Sequence, residues 1–164
     1  MNILGIDTNS KGYAAILLPP GAGEPEAFSF VSRDSDPEIR RVEACDAFYN
    51  TLVDVSLRPL ETMLFCEEPL ILPKNWLTTR NLSLAAGALW AVNGRIPSPM
   101  TWFWVSVSTW KADVVGSGRA NKLEVIGWAR AKGVDYPDCV DLYDAFAIAN
   151  YGQMQMRAKS GTDG

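Results

Sequence analysis

The sequence predicts an α/β domain: a mixed five-stranded sheet with helices on both faces. Three observations carry this. Two apolar runs, residues 1–7 and 12–18, flank a polar cluster, the mark of a β-hairpin. Residues 37–56 repeat apolar positions at the helical period. Beyond them, short apolar runs alternate with helical segments, the pattern of strands added in parallel through crossover helices. At 164 residues the chain can bury a core as one domain. That domain is assigned to residues 1–156, and residues 157–164 are expected to fray as a flexible tail.

The first strand runs into Asp7, and the turn Thr8-Asn9-Ser10-Lys11-Gly12 leads to the second, over 12–18. Pro19, Pro20 and Gly21 open a loop, and residues 27–32 read as a third strand. Asp36 is placed to cap a helix with Pro37 at its first position. That helix spans 37–56, with Ile39, Val42, Cys45, Phe48 or Tyr49, Leu52 and Val53 as its predicted inner face. Residues 63–66 form a short buried strand, stopped by Glu67, Glu68 and Pro69. An irregular segment over 70–79 precedes a helix of small residues over 81–92. Residues 101–107 form an aromatic fifth strand, with Trp102 and Trp104 expected in the core on one face and Phe103 on the other. Ser108 or Thr109 caps a short helix carrying Lys111. After the turn Gly116-Ser117-Gly118, helices cover 121–131 and 139–154. The order is β-β-β-α-β-α-β-α-α-α.

Composition removes several classes of chemistry. The chain has no histidine, which excludes Ser-His and Cys-His nucleophiles and imidazole-bound zinc. Its three cysteines, Cys45, Cys66 and Cys139, form no Cys-x-x-Cys pair and no disulfide framework. Any metal site must therefore use oxygen ligands, which selects Mg²⁺ or Mn²⁺. No apolar run reaches the roughly 18 residues of a membrane span. The start lacks a basic, cleavable leader, so a cytoplasmic setting is expected. The net charge of −4 opposes nucleic-acid binding when taken alone. With four of the 19 acids set aside as metal ligands, the remaining 15 balance the 15 Lys and Arg. A local basic patch on a neutral body can then hold DNA.

The chemistry-bearing pattern is a set of carboxylates. Asp7 closes the first strand and Glu67 the fourth. Asp141 and Asp144 are spaced i, i+3 on one face of the last helix, among Val140, Leu142 and Ala145-Phe146-Ala147. Each has a plain structural alternative when taken singly. Asp7 can cap a turn, Glu67 and Glu68 can open a solvated loop, Asp141 can be an N-cap, and Asp144 can complement a helix dipole. Four acids at strand ends and on one apolar helix face point instead to a shared site. Brought together, they would raise one another's pKa values. Two divalent cations about 3.5–4 Å apart would relieve this and activate water for in-line attack on a phosphodiester.

These residues resemble the RuvC-type Holliday junction resolvases of the RNase H-like superfamily. The likeness runs over most of the chain. It rests on Gly5-Ile6-Asp7 with Gly12-Tyr13-Ala14, and on Phe65-Cys66-Glu67-Glu68. It continues through Asn75, Leu84-Ala85-Ala86-Gly87-Ala88-Leu89, Gly116-Ser117-Gly118-Arg119-Ala120-Asn121-Lys122 and Asp141-Leu142-Tyr143-Asp144-Ala145-Phe146. The resemblance implies an RNase H-like fold and a Mg²⁺-dependent endonuclease that cleaves four-way junctions or other branched DNA. It implies two Mg²⁺ ions, replaceable by Mn²⁺: Asp7 bridging them, Glu67 holding one, and Asp141 with Asp144 the other. Glu68 is the alternative to Glu67. The resemblance also places Lys122 beside the scissile phosphate, and implies a homodimer through the helix over 81–92. The turn Thr8-Asn9-Ser10 and the acidic balance depart from the family's usual Pro-Gly turn and basic charge. They suit a divergent phage or prophage member.

Lys74, Arg80, Lys111, Arg119 and Lys122 are the candidate phosphate contacts, all near loops bordering the carboxylate end of the sheet. Surface Lys and Arg are common, so each but Lys122 is equally an ordinary solvated residue. Leu70, Ile71, Leu72 and Trp76 form an apolar stretch that reads as a wedge at a junction or as satellite core packing. Three rival readings remain. One is another RNase H-like nuclease acting on flaps or RNA–DNA hybrids. Another is a catalytically inert DNA-binding protein on the same fold, which the four carboxylates disfavour. The third is an actin-like ATPase domain, which needs a longer chain.

Overall fold

The computed structural model describes residues 1–21, 23–58, 61–69 and 74–160. Five strands form one mixed sheet: β1 (Asn2–Asn9), β2 (Gly12–Leu18), β3 (Glu26–Val31), β4 (Thr62–Glu67) and β5 (Thr101–Val105). Their spatial order is β3-β2-β1-β4-β5. The first three strands form an antiparallel meander, while β4 and β5 run parallel to β1. The predicted element order and the mixed sheet covered on both faces are those observed.

Strand alternation sorts each side chain to one of two cores. Ile3, Ala14, Ile16 and Phe65 meet the final helix, α5 (Asp141–Ser160). Leu4, Ile6, Ala15, Leu64 and Cys66 meet Phe48 and Leu52 of α1 (Pro37–Ser56) and Leu89 of α2 (Trp76–Asn93). By the same alternation Asp7 follows Ile3 and Gly5 onto the α5 face, and Glu67 follows Phe65. Ile6 pairs with Cys66 in the parallel register, so the two acids stand at one level on neighbouring strands. Glu67 closes β4, but Asp7 does not close β1, whose hairpin pairing continues to Asn9. Gly5 sets the depth of the helix. A Cβ there would stand 2.3 Å from both the Ala145 carbonyl oxygen and the Ala149 nitrogen. The bare strand lets α5 lie on β1, which carries the first turn of α5 to Asp7.

Several local expectations are corrected. The α1 inner face is Ala44, Phe48, Leu52 and Val55, while Ile39, Val42 and Tyr49 are exposed. Two overlapping apolar stripes share Phe48 and Leu52, and the one that continues through Ala44 and Val55 is buried. The second helix begins at Trp76, not at 81, because the Asn75 side chain accepts the Thr78 N–H and caps it. Strand β5 ends at Val105. Ser106, not Ser108 or Thr109, caps α3 (Val107–Trp110), accepting the Thr109 N–H. A π-helical turn, Lys111–Val115, follows and ends at Gly116, whose φ of +96° suits glycine. Helix α4 (Lys122–Ala131) starts in a capping box between Asn121 and Glu124. Helix α5 continues past 154 to Ser160.

Trp104 is also corrected. Phe103 stacks on Phe65 at 4.8 Å and Trp102 packs edge-on to Phe48, but Trp104 is 43% exposed. Strand β5 is the sheet edge, and the second core does not cover that end of it. Leu70, Ile71 and Leu72 of the expected wedge lie outside the described residues, as do residues 161–164 of the expected tail. No helix among the described residues is long and apolar enough to cross a membrane.

Candidate metal centre

Three carboxylates converge at the end of the sheet where β1 and β4 finish. Asp7, Asp141 and Asp144 each offer an oxygen, and these lie within 4.8 Å of one another. Asp7 comes from β1, and the other two from the first turn of α5, where the helix dipole favours negative charge. Glu67 stands beside this triplet at the end of β4. One of its oxygens accepts the indole N–H of Trp110 at 3.0 Å. Trp110 is fully buried, so its N–H requires an acceptor, and Glu67 supplies it. Glu68 is exposed, and strand alternation turns it from the α5 face.

Lys122 opens α4 and completes the cluster. Its ammonium lies 3.3 Å from one Asp141 oxygen and donates to Asp144 Oδ2. Asn9 donates from Nδ2 to the other Asp141 oxygen at 3.0 Å. The α4–α5 connection is braced by Tyr143, whose hydroxyl bonds Asp135 and accepts the Tyr136 N–H. Arg130 Nε donates to the same Asp135 at 2.9 Å. This brace ties the helix bearing Lys122 to the one bearing the two aspartates.

The electrostatics are those of crowded, buried anions. Burial, and then the charges of Glu67, Asp144 and Asp141, hold the Asp7 carboxyl well above its usual range. Burial pushes Glu67 up to about 7, against the opposing Trp110 hydrogen bond. For Lys122, burial would lower the pKa, but the Asp144 hydrogen bond and the charges of Asp144, Asp7 and Asp141 outweigh it. One lysine does not satisfy the group. Asp144 Oδ1 is buried with no hydrogen-bond partner among the described residues. An orphaned carboxylate oxygen beside two more carboxylates, with oxygen as the ligand atom of all three, fits a hard divalent cation.

The other candidate residues are distributed unevenly. The Lys111 ammonium donates to the Ala120 carbonyl at 2.9 Å and lies 5.4 Å from the Trp110 ring centroid. It thus pins the turn before Lys122, and its charge counters the rise at Glu67. Lys74, Arg80 and Arg119 are exposed. Trp76 is 68% exposed as the first residue of α2. Sequence reasoning did not single out Asn9 or Trp110. The one available signal was that a buried tryptophan needs an acceptor. Nothing in the order of residues tied Asn9 to the last helix.

No family model and no curated protein matches the chain. Solved structures do. A Thermus thermophilus RuvC structure is similar with a TM-score of 0.68 and 21% identity, covering 94% of this chain and 97% of that one. T. thermophilus RuvC in complex with a Holliday junction substrate is similar with a TM-score of 0.68 and 22% identity, covering 91% and 90%. The fold of this chain is therefore the RNase H-like α/β fold seen in RuvC.

Proposed function

We propose that this chain is a divalent-metal-dependent, structure-specific endonuclease acting on branched DNA, with the Holliday junction as its preferred substrate. The observation that carries the reading is the half-buried triplet Asp7, Asp141 and Asp144 with Lys122 at its rim. The RuvC neighbour bound to a junction supports the substrate class. Asp7, Glu67, Asp141 and Asp144 hold two Mg²⁺ ions, which Mn²⁺ can replace. When bound, the pair activates water and stabilises the leaving oxygen. Lys122 orients a non-bridging phosphate oxygen. Lys74, Arg80, Lys111 and Arg119 add backbone contacts, which give affinity without sequence readout. Trp76, exposed at the start of α2, is the described member of the candidate junction wedge.

The test is a cleavage panel: four-way junction, flap, duplex and RNA–DNA hybrid, each in Mg²⁺ and in EDTA. Paired, symmetric nicks in the junction, lost in EDTA, are expected. Cleavage of the hybrid alone would establish a different RNase H-like nuclease. Metal-independent binding without cleavage would establish an inert DNA-binding protein.

A four-way junction has two equivalent strands to cut, which a two-fold dimer matches. We place the dimer contact on α2. Leu84 (42% exposed) and Trp90 (56%) stand out from it, and Val42 of α1 (61%) lines a groove with Leu84. Gly87 lines the same groove and leaves room for a second helix. Apolar side chains clustered at this spacing on a surface favour a partner. Sedimentation at micromolar concentration is expected to give a dimer for the wild type and a monomer for Leu84→Glu/Trp90→Glu. A monomeric wild type at that concentration excludes this contact.

A further inference from the structure

Asn9 ends β1 and faces Gly12 across the hairpin. Its side chain makes two hydrogen bonds of opposite sense. Oδ1 accepts the Lys11 backbone N–H at 2.8 Å, and Nδ2 donates to Asp141 Oδ2 at 3.0 Å. A backbone N–H can only donate, so the carbonyl end of the amide must face Lys11, and the donor end is left for Asp141. The turn itself thus fixes which way the amide points. The turn is in turn held against β3. A Cβ on Gly12 would fall 1.8 Å from the Phe30 carbonyl oxygen, so this corner has little room to shift.

Asp141 needs such a tether. It is the first residue of α5, and its side chain is 33% exposed. Left alone, it can rotate into solvent. Asn9 holds Oδ2 while Lys122 lies 3.3 Å from Oδ1, so both oxygens are engaged and the carboxylate is kept within 4.8 Å of the Asp7 and Asp144 oxygens. We infer that Asn9 is a positioning residue for the metal centre, holding the Asp141 carboxylate turned toward Asp7 and Asp144 rather than into solvent. The inference rests on the metal-centre reading above. It gives the hairpin turn, 132 residues away in sequence, a role in cation affinity. Partners that orient a ligand in this way commonly change metal affinity by about 10–100-fold when removed.

The experiment measures Mn²⁺ affinity by calorimetry, with melting temperature in EDTA as the control for folding. Asn9→Ser keeps an oxygen for the Lys11 N–H but is too short to reach Asp141, and Asn9→Ala loses both bonds. Both variants are expected to weaken Mn²⁺ binding by about 10-fold, with Asn9→Ser melting close to wild type. In an Asp141→Asn background, Asn9→Ser is expected to cause no further loss, because its effect passes through the Asp141 carboxylate. Wild-type affinity in Asn9→Ser, or a loss that adds fully to that of Asp141→Asn, overturns the inference alone. A wild type with no Mn²⁺ binding that Asp7→Asn removes overturns both the inference and the metal centre.

Discussion

Asp7→Asn is expected to abolish cleavage while making the metal-free protein more stable. The two effects have one cause. Asp7 is a buried anion whose neighbours are Glu67, Asp144 and Asp141, and its carboxyl is held well above the usual range by burial and by those charges. At neutral pH the folded protein must ionise it there at a cost, or keep it protonated at a cost. Asparagine has nearly the same shape and no charge, so the strain disappears and the melting temperature in EDTA rises by a few degrees. The same substitution removes the proposed central ligand, and turnover is expected to fall on the order of 1,000-fold or more. Glu67→Gln is expected to behave likewise, with a smaller gain because Trp110 already donates to that carboxylate. Glu68→Gln is the control: it is exposed and turned from the α5 face, so both readouts stay at wild type. Loss of stability in Asp7→Asn would mean that the carboxylate is a structural cap rather than a strained ligand. Retained cleavage would remove it from the site.

The central strands were legible because their signal is local. The hairpin of β1 and β2 is written in two apolar runs and one turn, and Asp7 is conspicuous because it breaks the first run. The i, i+3 spacing of Asp141 and Asp144 is equally local, since helix geometry alone places them on one face. What joins Asp7 to that helix is not local. It depends on Gly5 admitting α5 to the strand, a contact invisible without the fold. The choice between Glu67 and Glu68 became geometric only once the β1–β4 register was known, because one residue of slip exchanges the faces.

The misreadings have physical causes of the same kind. Helix α1 carries two apolar stripes, and periodicity cannot say which one the sheet will cover. Trp104 has the residue type of a core position, but an edge strand lacks cover on one side, and sequence does not mark the edge. The start of α2 was placed late because Trp76-Leu77-Thr78-Thr79 has weak helix propensity. The Asn75 cap and burial further along the helix override it. Asn9 and Trp110 were missed because each acts through a partner far along the chain.

The second large effect is a dependence of stability on pH that divalent metal cancels. Glu67 is raised by burial to about 7, and Asp7 is also raised. A carboxyl whose folded pKa lies above its unfolded value contributes most favourably at pH below the unfolded value, near 4. That contribution is lost as pH rises through the folded pKa. In EDTA the protein is therefore expected to melt lower at pH 8 than at pH 5.5, with a slope of up to about 1.4 kcal/mol per pH unit for each proton released. No histidine adds a slope in this window, and burial pushes the Cys45 and Cys66 thiols up, away from it. A divalent cation needs the carboxylates deprotonated and binds only the folded cluster. Mg²⁺ should thus raise the melting temperature clearly at pH 8 and little at pH 5.5, which reverses the order of the two pH values. Scanning calorimetry with and without Mg²⁺ reads both effects, and Asp7→Asn should flatten the EDTA slope. An equal Mg²⁺ shift at the two pH values would mean that the ion binds exposed surface acids instead. Only at the cluster must the ion compete with protons on carboxyls raised by burial, Glu67 and Asp7, so the pH dependence of the shift locates the ion.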